Sequence, residues 1–308
     1  MSIRARTALA AVVAVGAVAA LALTLIGAGS TGPKVTFRPT VLGMPPAGSV
    51  VLAQEDGGLA VGLALHKTPG RLLLVATVLG SSGAAAGLHV SFGTGDVTAA
   101  AADCGPGCYE ATVSSGTPPT SIAVDIAGPG ASGRPVTFRL PRRWPTPALA
   151  LVGRTTRTYR RLKTFVIHEH LASDPTHAVD TTFWKQAPDR LHFKVRGGDD
   201  TIIIGTKRWD RAPHGSWTRS ASSPLHAIEP SWTPLVESAS LLGTATMAGR
   251  RAWVVSFANP AIPAWFTVWI DKRTYRTLQV SMTATGHFMT DRYSGFDAPL
   301  TIGPPGTR

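Results

Sequence analysis

Between residues 181 and 217 the chain alternates apolar and polar positions in short runs separated by turn-forming residues. Leu191, Phe193 and Val195 recur at every second position, the period of a strand with one buried face. Gly197-Gly198 stands between that run and residues 201–205, which predicts a tight hairpin. With residues 164–171 as a first strand and Trp209 and Trp217 at the far end, the pattern predicts an antiparallel meander. Strands are expected again at 251–257, 265–271, 277–284 and 287–292. Helical periodicity covers 148–163, where Thr146 is a candidate cap and Pro147 suits the first turn. Val152, Tyr159 and Leu162 form the inward stripe of that helix. A second, short helix is expected over 234–242, capped by Thr233. This half reads as α+β, a curled antiparallel sheet with helices, over 148–305.

The preceding part follows a different rhythm. Seven short β-prone runs, at 50–53, 59–65, 72–79, 88–92, 109–113, 122–126 and 136–140, are punctuated by Gly and Pro. That spacing predicts an all-β, immunoglobulin-like sandwich over 49–141. Residues 72–76 are apolar throughout, as expected of a central strand. A Pro-rich stretch, 142–147, reads as the interdomain linker, and Gly- and Pro-rich 31–48 as a second linker.

Residues 1–30 read as a membrane anchor or signal segment. Positions 8–26 carry no charge, and such a run approaches the ~20 residues that span hydrocarbon. It exceeds the ~7–15 apolar residues of a secretory signal. Arg4 and Arg6 precede it, so the expected orientation keeps the N-terminus inside and the bulk outside. Cleavage after the small residues near Gly27 would instead release a secreted protein. No Cys lies near the segment for lipid attachment, and no second comparable run suggests a multi-span transporter.

Charge changes the picture of partners. The formal net charge is +12, from 30 basic and 18 acidic residues. From position 141 onward, 22 basic residues face 12 acidic ones, whereas 30–140 is balanced six to six. All eight Trp lie in the basic part and both Cys in the other. Outside the cell, basic charge argues poorly for nucleic acid, and anionic envelope lipids or polymers are the expected counterpart. Cys104 and Cys108 flank Gly105-Pro106-Gly107, a spacing that predicts a disulfide in an oxidising compartment. A metal–thiolate pair is the alternative, although no His lies in the turn.

Several of these residues carry a resemblance. The helix with Tyr159 and Leu162, then Phe183-Trp184-Lys185, Pro188 to Leu191, Ile203-Ile204-Gly205 and Trp209, resembles the LolA/LppX lipoprotein-carrier superfamily. Trp269-Ile270-Asp271 with Thr274 and Leu278 resembles its later strand and turn. The whole extracytoplasmic chain also resembles the C-terminal region of actinobacterial CopC/CopD-type copper-resistance proteins. The residues that carry this are Cys104 to Tyr109, Tyr159 to Leu162, Pro263 to Phe266, His287-Phe288-Met289 and Tyr293 to Phe296. The first domain then resembles a YtkA- or CopC-like sandwich. These resemblances imply a half-barrel that holds acyl chains and a role in copper handling beside a copper-transport membrane protein. Two departures stand out: no His follows the apolar segment to build an N-terminal copper site, and no Cys anchors a lipid.

Candidate chemistry is sparse. No GxSxG, HExxH, P-loop or dinucleotide fingerprint occurs, so no catalytic residue is assigned and no enzyme is expected. His168 and His170 share one face of a strand, and so do His287 and Met289. Were those strands neighbours, imidazole and thioether together would suit copper. The competing expectation leaves the histidines on a solvated face and Met289 in the core. Asp174 and the pair Asp199-Asp200 read as turn residues. Phe183, Leu191, Phe193, Ile203, Trp253, Trp265 and Phe266 are assigned to the concave, apolar face of the curled sheet, lining a cavity or a filled core. The leading expectation is a membrane-anchored, non-catalytic accessory protein of copper handling, with no cofactor certain and copper the candidate metal. The alternative is a carrier or sensor of lipids or other apolar ligands.

Overall fold

In a computed structural model, residues 46–306 are described, except 47, 96, 115–118 and 234. The expected anchor at 1–30 lies outside the described residues. Among the described residues no helix is long and apolar enough to cross a membrane.

The first region is a two-sheet sandwich. One sheet runs β1 (Val50–Asp56), β2 (Leu59–Thr68), β3 (Arg71–Gly80), β8 (Cys108–Ser114), β7 (Ala102–Gly105), with β4 (Gly83–Ala84) beside β3. The other runs β10 (Val136–Arg139), β9 (Ser121–Ala127), β5 (His89–Thr94), β6 (Val97–Ala100). With β1 and β4 set aside, these are the A-B-E-D and G-F-C-C′ orders of an immunoglobulin-type sandwich. All seven predicted runs lie in strands; β4, β6 and β7 carry too little apolar pattern to announce themselves. Leu63, Leu65, Leu72, Leu74, Phe92, Ile122 and Phe138 fill the space between the sheets and are fully buried.

Strand β2 is buried on both faces, for different reasons. Val61, Leu63 and Leu65 point into the sandwich, while Ala60 and Ala64 join Val51, Leu79, Ala258 and Trp265 in a separate apolar cluster. Trp265 belongs to the second region, so this cluster joins the two. Small residues on that face let the sheets approach. A Cβ on Gly62 would fall 2.1 Å from a ring carbon of Trp265, a distance no side chain accommodates.

The second region is one twelve-stranded antiparallel sheet. In chain order it contains β11 (Thr146–Pro147), helix α1 (Leu149–Arg160), β12 (Thr164–Asp174), β13 (His177–Gln186), β14 (Arg190–Val195), β15 (Asp200–Ile204), β16 (Lys207–Arg211), β17 (Thr218–Ala221), β18 (Glu237–Met247), β19 (Arg250–Asn259), β20 (Ala264–Asp271), β21 (Thr277–Ala284) and β22 (His287–Ser294). Two meanders, β12 to β17 and β18 to β22, meet where β12 pairs with β22. The outermost strands, β11 and β17, do not pair with each other, so the sheet is a half-barrel and not a closed one. Helix α1 and the crossing segment between β17 and β18 cover its inner face.

Two local expectations are corrected. Thr146 does not cap α1: it pairs with Leu241 in the sheet, and Ala148 takes the cap position with no side-chain bond. The Ala148 N–H donates instead to the Ala239 carbonyl, 2.9 Å away. Of the short helix expected at 234–242, residue 234 lies outside the described residues and residues 237–242 belong to β18, which carries two register shifts, with Ser238 at φ 52°. Pairing with β19 satisfies the backbone groups of this segment along a ladder, which an isolated short helix could not do as cheaply.

Candidate functional site

Side-chain alternation sorts the half-barrel into an inner and an outer face. Phe165, Ile167 and Leu171 of β12, Phe183 of β13, and Leu191 and Phe193 of β14 point inward. Ile203, Phe257, Phe266, Val268, Val280, Met282 and Met289 continue that surface, and all are buried. Phe183 and Phe193 are direct cross-strand partners with ring centroids 5.6 Å apart. Val152 and Tyr159 of α1 pack into the same cluster, which is the inward stripe expected from the 3.6-residue period.

Trp232 closes the remaining space. Its indole N–H donates to the Thr156 hydroxyl at 3.0 Å, and its carbonyl accepts from the Asn259 side-chain amide at 2.9 Å. Tyr159 and Phe257 meet its ring edge-on, at 5.7 and 6.3 Å. Trp232 is fully buried, although it lies in a segment without regular structure. Of the assigned lining residues, Phe183, Leu191, Phe193, Ile203 and Phe266 are brought together here. Trp253 is half-buried at the edge, against Tyr275. Trp265 is on the opposite face, under the sandwich, because one step along β20 reverses the side.

The inner face also holds charge. Glu169 and Asp291 are register partners on β12 and β22, and both are almost fully buried. Burial, and then the neighbouring Asp291 charge, push the Glu169 carboxyl well above the usual carboxylate range. Burial likewise raises Asp291, opposed by the Lys185 ammonium. Burial depresses Lys185, whose Nζ sits 5.8 Å from the Phe165 ring centroid. The Tyr293 hydroxyl donates to Asp291 Oδ2 at 3.2 Å, whereas Asp291 Oδ1 is buried without a partner. Two carboxylates directly opposite each other in a dry interior cannot both ionise cheaply, so burial and mutual repulsion raise the pair while the Lys185 ammonium opposes them. The signal was present in the sequence: Phe165, Ile167, Glu169 and Leu171 share one alternation phase, which puts a carboxylate on the apolar face.

The four metal candidates do not converge. Strands β12 and β22 are neighbours, but His168 and His170 are exposed on the outer face while Met289 is buried on the inner one. His168 pairs across the strands with Arg292, and His170 with Thr290. His287 shares the phase of Met289, and its Nε2 is buried without a partner. Among the described residues no group of three or more His, Cys, Asp or Glu is placed to hold a metal ion. No observation therefore distinguishes a copper site.

The remaining predicted residues divide. Cys104 and Cys108 form a disulfide, with Cα atoms 5.0 Å apart. Asp174 is a turn residue, accepting from the backbone N–H of Thr176 and of His177. Asp200 is not. It begins β15, is buried, and binds His192 Nε2 and an Arg211 nitrogen, each at 2.7 Å. Arg211 and His192 reach it from the two flanking strands, which is invisible from the local Gly-Gly-Asp-Asp pattern.

No family model matches the chain, and no curated protein matches it. Among solved structures, LprF from Mycobacterium bovis is similar at a TM-score of 0.40 and 15% identity, over 53% of this chain and 99% of that one. Lipoprotein LppX from Mycobacterium tuberculosis is similar at 0.41 and 12%, over 50% and 97%. A LolA superfamily protein from Nitrosomonas europaea gives 0.26 and 9%, over 48% and 94%. Each of these similarities covers about half of this chain and nearly the whole of the other one.

Proposed function

We propose that this chain is a non-catalytic, extracytoplasmic envelope protein whose half-barrel holds an apolar molecule, with an acyl chain as the ligand class. The observation that carries the reading is the way the inner face is closed. A single sheet curls around an apolar surface, and its cover is one 12-residue helix and an irregular segment carrying Trp232. A cover of that kind can move without breaking the sheet, since backbone ladders hold the strands and side-chain packing alone holds the plug. Apolar ligand sites are lined mainly by aromatic and aliphatic side chains with few polar groups, and Phe183, Leu191, Phe193 and Phe266 with the buried acid pair fit that description. Copper handling rests on the sequence resemblance alone, and nothing in the arrangement of His168, His170, His287 and Met289 favours it.

The test is native mass spectrometry of the full chain released from detergent, alongside uptake of a fluorescent fatty acid. Co-purifying lipid, or dye uptake that Phe193→Glu abolishes, is the expected result. A chain that carries no lipid and takes up no dye would sink the reading.

A further inference from the structure

The outer face of the same sheet carries a second feature, independent of the apolar interior. Four strands, β22, β12, β13 and β14, place Arg292, His168, Thr182 and Lys194 in one cross-strand row. At strand spacings near 4.8 Å such a row is about 14 Å long. The next row contains Thr290, His170, Asp180 and Arg196. Together these residues line a recess of about 520 Å3. At one end stands Trp184, stacked on His192 at 4.7 Å between centroids.

The charges in this recess are unbalanced. Asp180 is the one acid on its outer face, and it is already engaged by His170 Nδ1 at 2.9 Å and Arg196 at 3.0 Å. Glu169 also borders the recess, but its side chain has the inward phase and is buried. Among the described residues, Lys194 and Arg292 form no ion pair. Two long, flexible cations thus flank a centre that presents an imidazole and a hydroxyl from His168 and Thr182, themselves 3.3 Å apart. Donors of this kind suit a tetrahedral oxyanion, with two free cations matching a double negative charge. The recess is far larger than one phosphate, so its remaining volume, towards Trp184, fits an organic substituent.

We propose that this outer groove binds a phosphate monoester carried on a small polar organic group, with Lys194 and Arg292 as its charge partners. The chemistry is shared by a free organic phosphate and by a phosphorylated headgroup, and the experiment separates the phosphate from its substituent. Isothermal titration of the full chain in non-ionic detergent is carried out with inorganic phosphate and with glycerol phosphate. Binding of either ligand that weakens by about tenfold or more in the Lys194→Gln/Arg292→Gln double variant supports the site. Tighter binding of glycerol phosphate than of inorganic phosphate supports the organic substituent, and equal or weaker binding overturns the monoester as the ligand. A charge-matched control, Lys207→Gln/Arg143→Gln, lies outside the recess and is expected to bind like the parent. The proposal is overturned by the absence of heat at millimolar ligand, by unchanged affinity in the double variant, or by equal weakening in the control. The thermal transition of each variant establishes that it is folded. None of these outcomes depends on whether the interior takes up an acyl chain.

Discussion

In the sandwich, two sheets face each other, and side chains from both, such as Leu63, Leu74, Phe92 and Ile122, fill the gap between them. In the half-barrel there is one sheet, and it has no opposing layer. Its inner face is filled instead by material from outside the ladder: Val152 and Tyr159 of α1, and Trp232 of a segment without regular structure. The first core is mostly aliphatic; the second is rich in rings and contains a buried acid pair. The difference shows what each can do. A sandwich cannot lose one layer without unfolding, whereas the inner face of the curled sheet is covered by side-chain packing from α1 and the Trp232 segment. That contrast is why the proposed ligand is placed in the half-barrel.

The largest test of this contrast is Trp232→Ala. Removing a fully buried indole is expected to cost about 4 kcal/mol, read from urea unfolding followed by Trp fluorescence. Seven of the eight Trp follow position 148, so this signal reports mainly on the half-barrel. Hydrogen exchange in β3 and β9 is expected to be unchanged; equal loosening there would mean that the two regions behave as one cooperative unit. Trp265→Ala acts at the seam between them. About 3 kcal/mol is expected, with faster exchange in β1 and β2, and exchange left as in the parent would show that the seam contributes nothing.

Smaller effects sharpen the same comparison. Replacing Cys104 and Cys108 by Ser releases a short loop and is expected to cost about 2 kcal/mol, within the sandwich alone. A matching loss in the Trp fluorescence transition would contradict that confinement. Glu169→Gln gives the smallest effect, and its sign depends on pH. The Glu169 and Asp291 carboxyls are raised on folding, so the folded state binds more protons than the unfolded one. Parent stability therefore falls as pH rises from the ordinary carboxylate range through neutrality. The variant has one less group to ionise, and its unfolding free energy in urea is expected to change less between mildly acidic and alkaline buffer, by about 1 kcal/mol. Identical slopes would show that folding does not raise the acid pair.

Much of the strand inventory was legible because alternation is a local property. Leu191, Phe193 and Val195 announced β14, and Gly197-Gly198 announced the hairpin that follows, with Gly197 at a φ of 70°. Residues whose role depends on a partner strand were not legible. Asp200 looked like a turn residue until β14 and β16 brought His192 and Arg211 to it. Local propensity favours a helix at 234–242 because it cannot see the pairing with β19 that makes residues 237–242 part of a strand. His168 and His170 share one face of β12, and His287 and Met289 one face of β22, but nothing local says which face of a neighbouring strand matches. Trp265 and Phe266 are neighbours in β20, so alternation sends them to opposite faces, and only the packing shows that Phe266 is the inner one.

What the sequence determined by itself was the change of rhythm between two β regions, the inward stripe of α1, and the asymmetry of charge, since each is set by spacing or composition along the chain. Tertiary structure decided the rest: that β2 places Ala60, Gly62 and Ala64 under Trp265, that an irregular segment delivers Trp232 into the half-barrel, and that Arg292 and Lys194, 98 positions apart in the chain, flank one groove. Those facts depend on which strands pair and in what register, and register is fixed by the burial of a whole face at once.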